Sequence, residues 1–263
     1  MNKKYFFQLI FLFLSVFFSA QERKILFIGN SLTYYFDMPQ MLEKMLNENN
    51  TVGYKITQVT LPGIQLEHHV SQGTAKLKFD ESDWDDVVLQ HGTLGYYVPE
   101  EVNLNILPSI ITLQNYDKSK KAKFYLFATW VGKEQYPFEI CYPKITYTGN
   151  SDDLNQKYCS KKFQSLEEAK GYLENQYAAI AKETNLTFTK HSAMEYVFEK
   201  EHPDLNMWHD DAHPSKIGSY FNACVFFKLF SDKNLKQIKE NFDLNPETAS
   251  AIRNFVEDNY VKF

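Results

Sequence analysis

The sequence predicts an α/β domain built on one mostly parallel five-stranded sheet with helices on both faces. Three observations carry this. Strand-like apolar runs alternate with helix-like periods along the chain, and parallel strands need a crossover that a helix supplies. Chemically marked residues (Ser31, Gly63, Gln90 and the turn after Trp130) fall where the predicted strands end, which is where such sheets collect ligand groups. The chain has 263 residues, enough to bury one core, and nothing in its composition obliges two.

The elements follow in order. Ile25, Leu26, Phe27 and Ile28 make residues 24–28 a central strand, ending in Gly29, Asn30 and Ser31. Met38, Met41, Leu42, Met45 and Leu46 have helical spacing, so residues 39–46 form a helix. Residues 54–61 alternate as a strand and stop at Pro62 and Gly63. An acidic turn over 80–85 precedes a short strand over 86–90. A helix over 102–116 and a strong strand over 122–130 come next. Ser165 and Glu168 form a capping box for a long helix over 165–184, with Leu166, Ala169, Leu173, Tyr177 and Ile180 on one face. A last short strand over 186–190 and a helix over 217–230 complete the pattern, and Pro214 is expected to open that last helix. Residues 133–162 show little periodicity and read as an irregular insertion, either a candidate lid or a surface loop.

The N-terminus has the form of a signal peptide over residues 1–20. Lys3 and Lys4 precede an apolar run from Phe6 to Phe18, and Ser19 and Ala20 offer small residues for cleavage. The run is shorter than the roughly 20 residues a spanning helix needs, so no membrane span is expected after cleavage. The mature domain is then 21–263, exported to the periplasm or secreted. In an oxidising compartment Cys141 and Cys159 are candidates for a disulfide, with Cys224 left as a buried thiol. Net charge is −5 and no basic stripe interleaves with aromatics, which argues against a nucleic-acid partner.

The chemistry lies in two places. Asp210 stands three residues before His213, and Ser31 stands at the tip of the first strand. A serine nucleophile needs a base for its proton and a carboxylate to hold the imidazole. Ser31, His213 and Asp210 supply these in the chain order Ser, Asp, His. His209 and His213 are four apart, a zinc-like spacing, but Pro214 stops a helix from running through them, and no metal is expected. Gly63 offers a backbone N–H, and Gln90 a side-chain amide, for a developing oxyanion. Each also has a plain reading, as a turn glycine and a strand-end amide. His91 competes with Gln90 for that role.

Gly29-Asn30-Ser31, Gly63, the strand ending in Gln90 and Asp210-x-x-His213 resemble the spaced blocks of the SGNH (GDSL-like) hydrolase superfamily. Gly63-x-x-Leu66-x-x-His69, followed by Trp84 to Gln90, resembles a bacterial branch of mostly uncharacterised members. The resemblance implies a flavodoxin-like three-layer α/β/α fold and a Ser31–His213–Asp210 triad. It also implies an oxyanion hole from the Ser31 N–H, the Gly63 N–H and a side-chain amide. The superfamily's third block carries an Asn that this chain lacks, having Gly92-Thr93-Leu94-Gly95 there, and Gln90 is the expected substitute. His69 is expected on the substrate side or in a structural role. The function expected is an exported serine esterase acting on a small-molecule or glycan ester through an acyl-enzyme, without a cofactor, an O-acetylated glycan being the favoured substrate. A lipid or thioester acyl hydrolase, or a silent carbohydrate-binding protein on the same scaffold, are the alternatives.

Overall fold

The computed structural model describes residues 22–130 and 135–263; the predicted leader lies outside them. Five parallel strands form the central sheet in the order β2-β1-β3-β4-β7. They are β1 (Arg23–Gly29), β2 (Tyr54–Thr60), β3 (Asp86–Leu89), β4 (Lys123–Leu126) and β7 (Thr187–Phe188). Two further strands, β5 (Cys141–Pro143) and β6 (Lys157–Cys159), form a separate antiparallel pair.

Strand periodicity makes the three layers. Side chains on a strand alternate between faces. Ile25 and Phe27 of β1 enter one core, while Leu26 and Ile28 enter the other. Both faces of β1 are therefore apolar, and all four residues have no exposed surface. The first core is covered by α2 (Met38–Asn49), α8 (Lys216–Phe230) and α9 (Pro246–Asn259). The second is covered by α3 (Leu66–Ser71), α4 (Thr74–Glu81), α5 (Leu107–Tyr116) and α6 (Leu166–Thr184). A short helix, α1 (Ser31–Tyr34), follows β1, and α7 (His191–Glu201) follows β7.

The structure changes four of the sequence expectations. The strand expected over 122–130 ends at Leu126. Beyond it the Ala128 N–H donates to Thr189 Oγ1 and Tyr177 Oη–H donates to the Thr129 carbonyl, so side chains replace the ladder. The helix expected over 102–116 begins with a wide π turn over Val102–Ile106, and α5 starts at Leu107. Pro214 does not open a helix. It pairs as an isolated bridge with Trp208, and Ser215 caps α8, its Oγ accepting the Gly218 N–H. The segment over 133–162 is no irregular loop where it is described: Cys141 pairs with Cys159 across a disulfide-linked hairpin. Phe138 and Phe163 stack beneath that hairpin and join the second core.

Helices α3, α4, α7 and α9 lie outside the expected set. Among the described residues no helix is long and apolar enough to cross a membrane.

Candidate active site

The order β2-β1-β3 reverses direction at β1, and the crevice at the carboxyl ends of β1 and β3 is the natural ligand site of such a sheet. Ser31 stands there as the first residue of α1. Asn30, not Ser31, caps that helix: its Oδ1 accepts the Leu32 N–H at 3.1 Å and its Nδ2 donates to the Ile64 carbonyl at 2.9 Å. The serine hydroxyl is thereby free of capping. It meets His213 Nε2 at 2.9 Å.

His213 is held from behind. Its Nδ1 lies 2.8 Å from Asp210 Oδ2 and 3.0 Å from Oδ1. Asp210 Oδ1 also accepts the backbone N–H groups of Ala212 and His213, at 2.8 and 2.7 Å. The Ala212 N–H, followed by the His213 ring, holds the Asp210 carboxyl down at about 2, below the usual carboxylate range. An ionised carboxylate on Nδ1 leaves Nε2 as the lone-pair nitrogen facing the serine, the tautomer a base needs. Tyr35 stacks on the His213 ring with centroids 4.3 Å apart and planes within 4°. Nothing in the sequence spacing marked Tyr35. His209 faces Tyr35 and Phe36 from a loop and is not helical with His213.

The structure corrects the expectation for Gln90. Its side chain is fully buried under the turn that carries Ser31. Oε1 accepts the Asn30 N–H at 2.8 Å and the Thr33 hydroxyl at 3.0 Å, while Nε2 donates to the His91 carbonyl at 2.7 Å. Turning the amide over would set its NH2 against the Asn30 N–H, so the orientation is fixed by its partners. Gln90 is a clamp that shapes the turn. Gly29 makes room for it, since a Cβ there would lie 2.5 Å from Gln90 Oε1.

Gly63 is exposed, at φ 65°, on the turn between β2 and α3. His69 is buried, with Nε2 donating to the Gly29 carbonyl at 2.9 Å and Nδ1 3.1 Å from Thr74 Oγ1. Burial pushes its pKa down, so it is a neutral brace under the same turn. His91 is also buried, between Glu67 and Glu101 at 3.7 and 3.4 Å. Burial alone would raise the Glu101 carboxyl, but hydrogen bonds from His91 and Tyr147 outweigh it and lower it. Tyr147 belongs to the disulfide hairpin, so this cluster docks the hairpin beside the site.

A cavity of about 230 Å³ opens over the serine. Ser31, His213, Gln65, Gly92, Trp130 and Tyr142 are on its wall; Gly63 and Gln90 are not. Burial, with the charges of Glu101 and Glu67, pushes the Tyr142 hydroxyl up to about 12, so it stays a neutral donor.

The three-layer α/β/α fold with this strand order is the fold of solved SGNH hydrolases. The chain is similar to a putative SGNH hydrolase from Slackia heliotrinireducens, at 20% identity over 80% of this chain and all of that one, with a TM-score of 0.58. It is similar over 92% of its length to a DUF4886 family protein from Bacteroides uniformis, covering 95% of that chain at 14% identity and a TM-score of 0.68. An acetylxylan esterase from Geobacillus stearothermophilus matches 81% of this chain and 97% of its own at 15% identity, with a TM-score of 0.53. No family model matches the sequence, and no curated protein matches it.

Proposed function

We propose that the protein is a serine hydrolase of carboxylic esters, working through an acyl-enzyme. The observation that carries this is the continuous contact from Ser31 Oγ to His213 Nε2, at 2.9 Å, and from His213 Nδ1 to Asp210, at 2.8 Å. Ser31 Oγ attacks the ester carbonyl carbon as its proton passes to His213 Nε2. The ester C–O bond then breaks, and His213 returns that proton to the departing alcohol. Water repeats the sequence on the acyl-serine, releasing the carboxylic acid and restoring Ser31. Asp210 keeps the imidazole in the useful tautomer throughout. The Ser31 N–H, at the first position of α1 where no intrahelical acceptor exists, is the backbone donor for the oxyanion; Gly63, off the cavity wall, is not assigned to it.

The acyl group we assign is short. A cavity of about 230 Å³ lies below the range of drug-sized pockets, roughly 300–1,000 Å³, and suits an acetyl group better than a fatty acyl chain. Similarity in fold to an acetylxylan esterase supports an O-acetylated glycan as the substrate. The signal-like N-terminus and the Cys141–Cys159 disulfide support an exported enzyme, since such bonds persist in oxidising compartments. The test is turnover of p-nitrophenyl acetate beside p-nitrophenyl octanoate, with stoichiometric labelling of Ser31 by a fluorophosphonate. An unlabelled, inactive protein overturns the reading and leaves a binding scaffold.

A further inference from the structure

Gln65 is positioned as if its amide had a use in the pocket. Its Oε1 accepts the Gly92 N–H at 2.7 Å, while the His68 N–H goes to the Gln65 backbone carbonyl at 3.1 Å. The Gly92 N–H meets the carbonyl end, so turning the amide over would set NH2 against N–H. The NH2 end therefore points the other way. It has no hydrogen-bond acceptor among the described residues, and the side chain is on the wall of the cavity that holds Ser31 and His213. Gly92 is built to admit it: a Cβ there would lie 2.8 Å from Gln65 Nε2 and 3.0 Å from Oε1. A rigid donor, oriented by the backbone and left without an acceptor in the resting protein, is what stabilises charge that appears only during reaction.

We propose that Gln65 Nε2 is the side-chain oxyanion donor of this enzyme, an inference that rests on the esterase reading of the site. As Ser31 Oγ bonds to the carbonyl carbon, the carbonyl π pair moves onto oxygen, and the Gln65 N–H donates to that oxyanion. The amide gains no proton and loses none. Gln90, with both ends of its amide engaged under the turn, acts on the nucleophile only by positioning it.

Gln65→Glu and Gln65→Met test this. The first keeps an oxygen for the Gly92 N–H and removes the donor; the second removes both. Each is compared with the wild type for kcat and KM on p-nitrophenyl acetate, for inhibition by an alkyl boronic acid that forms a tetrahedral anionic adduct, and for melting temperature. The expected result is a hundred- to thousand-fold loss of kcat, a KM within a few-fold of wild type, and a parallel loss of boronate affinity. Melting should be close to wild type for Gln65→Glu. A Gln65→Glu variant within three-fold of wild type in kcat overturns the assignment while leaving the esterase reading intact. So does a loss of kcat with unchanged boronate affinity. If neither variant folds, the amide is structural and the proposal fails. An inactive, unlabelled wild type removes the esterase reading itself, and the role of Gln65 with it.

Discussion

Ser31 keeps a free hydroxyl because the residue before it does the capping. Asn30 spends its side chain on Leu32 and Ile64, and Gln90 holds the Asn30 N–H from below. Two substitutions separate chemistry from support. Ser31→Ala should lower kcat by at least a thousand-fold, abolish fluorophosphonate labelling, and leave the thermal midpoint within a degree or two; retained turnover would remove the triad. Gln90→Ala should act first on stability. It strips the acceptor from the buried Asn30 N–H and the Thr33 hydroxyl, at a cost of about 1–3 kcal/mol for an unsatisfied buried group. Chemical denaturation should show that loss, with turnover falling only as the turn loosens. A stable variant with a thousand-fold lower kcat would instead make Gln90 a direct donor.

At the scale of elements, the hairpin of β5 and β6 is the part that gives the pocket its far wall. It is closed by the Cys141–Cys159 disulfide and docked through Tyr147 on Glu101. Titration of the denatured, unreduced protein should find one thiol, from Cys224, which is buried in the native fold. Three thiols would mean the hairpin is not cross-linked in solution. Replacing both bridging cysteines with serine should cost up to about 3 kcal/mol, the chain-entropy value for a loop of this order. Tyr142→Ala tests the wall itself. Removing the ring should raise the octanoate-to-acetate ratio of kcat/KM by ten-fold or more, whereas an unchanged ratio would place the acyl group elsewhere. The resistance of this segment to sequence reading has a physical cause: its short strands are stabilised by a disulfide and by Phe138 and Phe163 packing below, not by a period of their own.

Across the whole molecule, two buried titratable groups set opposite slopes of stability with pH. His191 has no exposed surface, and burial lowers its pKa to about 3. The unfolded chain, with an ordinary histidine near 6.5, binds the extra proton between those values, so stability falls as pH drops below about 6.5. Glu195 is fully buried as well; burial, and then the charge of Glu199, push its pKa well above the usual value. There the native state holds the proton that the unfolded chain loses above about 4.3, so stability falls as pH rises past that point. Glu195→Gln keeps the shape and removes the titration. The variant should melt higher than wild type at pH 8 and no higher at pH 4. Equal melting curves at pH 8 would mean that Glu195 is not buried as a neutral acid.

By itself the sequence determined the parts whose signal is local. Ile25 to Ile28 form a short apolar run that suits a strand covered on both faces, and the helical spacing of Met38, Met41, Leu42, Met45 and Leu46 marks one buried face. Asp210 and His213 are three residues apart, and one tight turn suffices to bring their side chains together, so their pairing was legible before any fold was known. Tertiary structure decided what depends on distant partners. Gln90 and Gln65 carry the same amide, yet Gln90 faces Asn30 and Thr33 under the turn while Gln65 is pinned by Gly92 across 27 positions of chain. Strand-end position and the resemblance of the block around it both point to Gln90. An amide's role is set by which of its ends is already engaged, and the groups that engage it arrive only when β1, β3 and α3 meet.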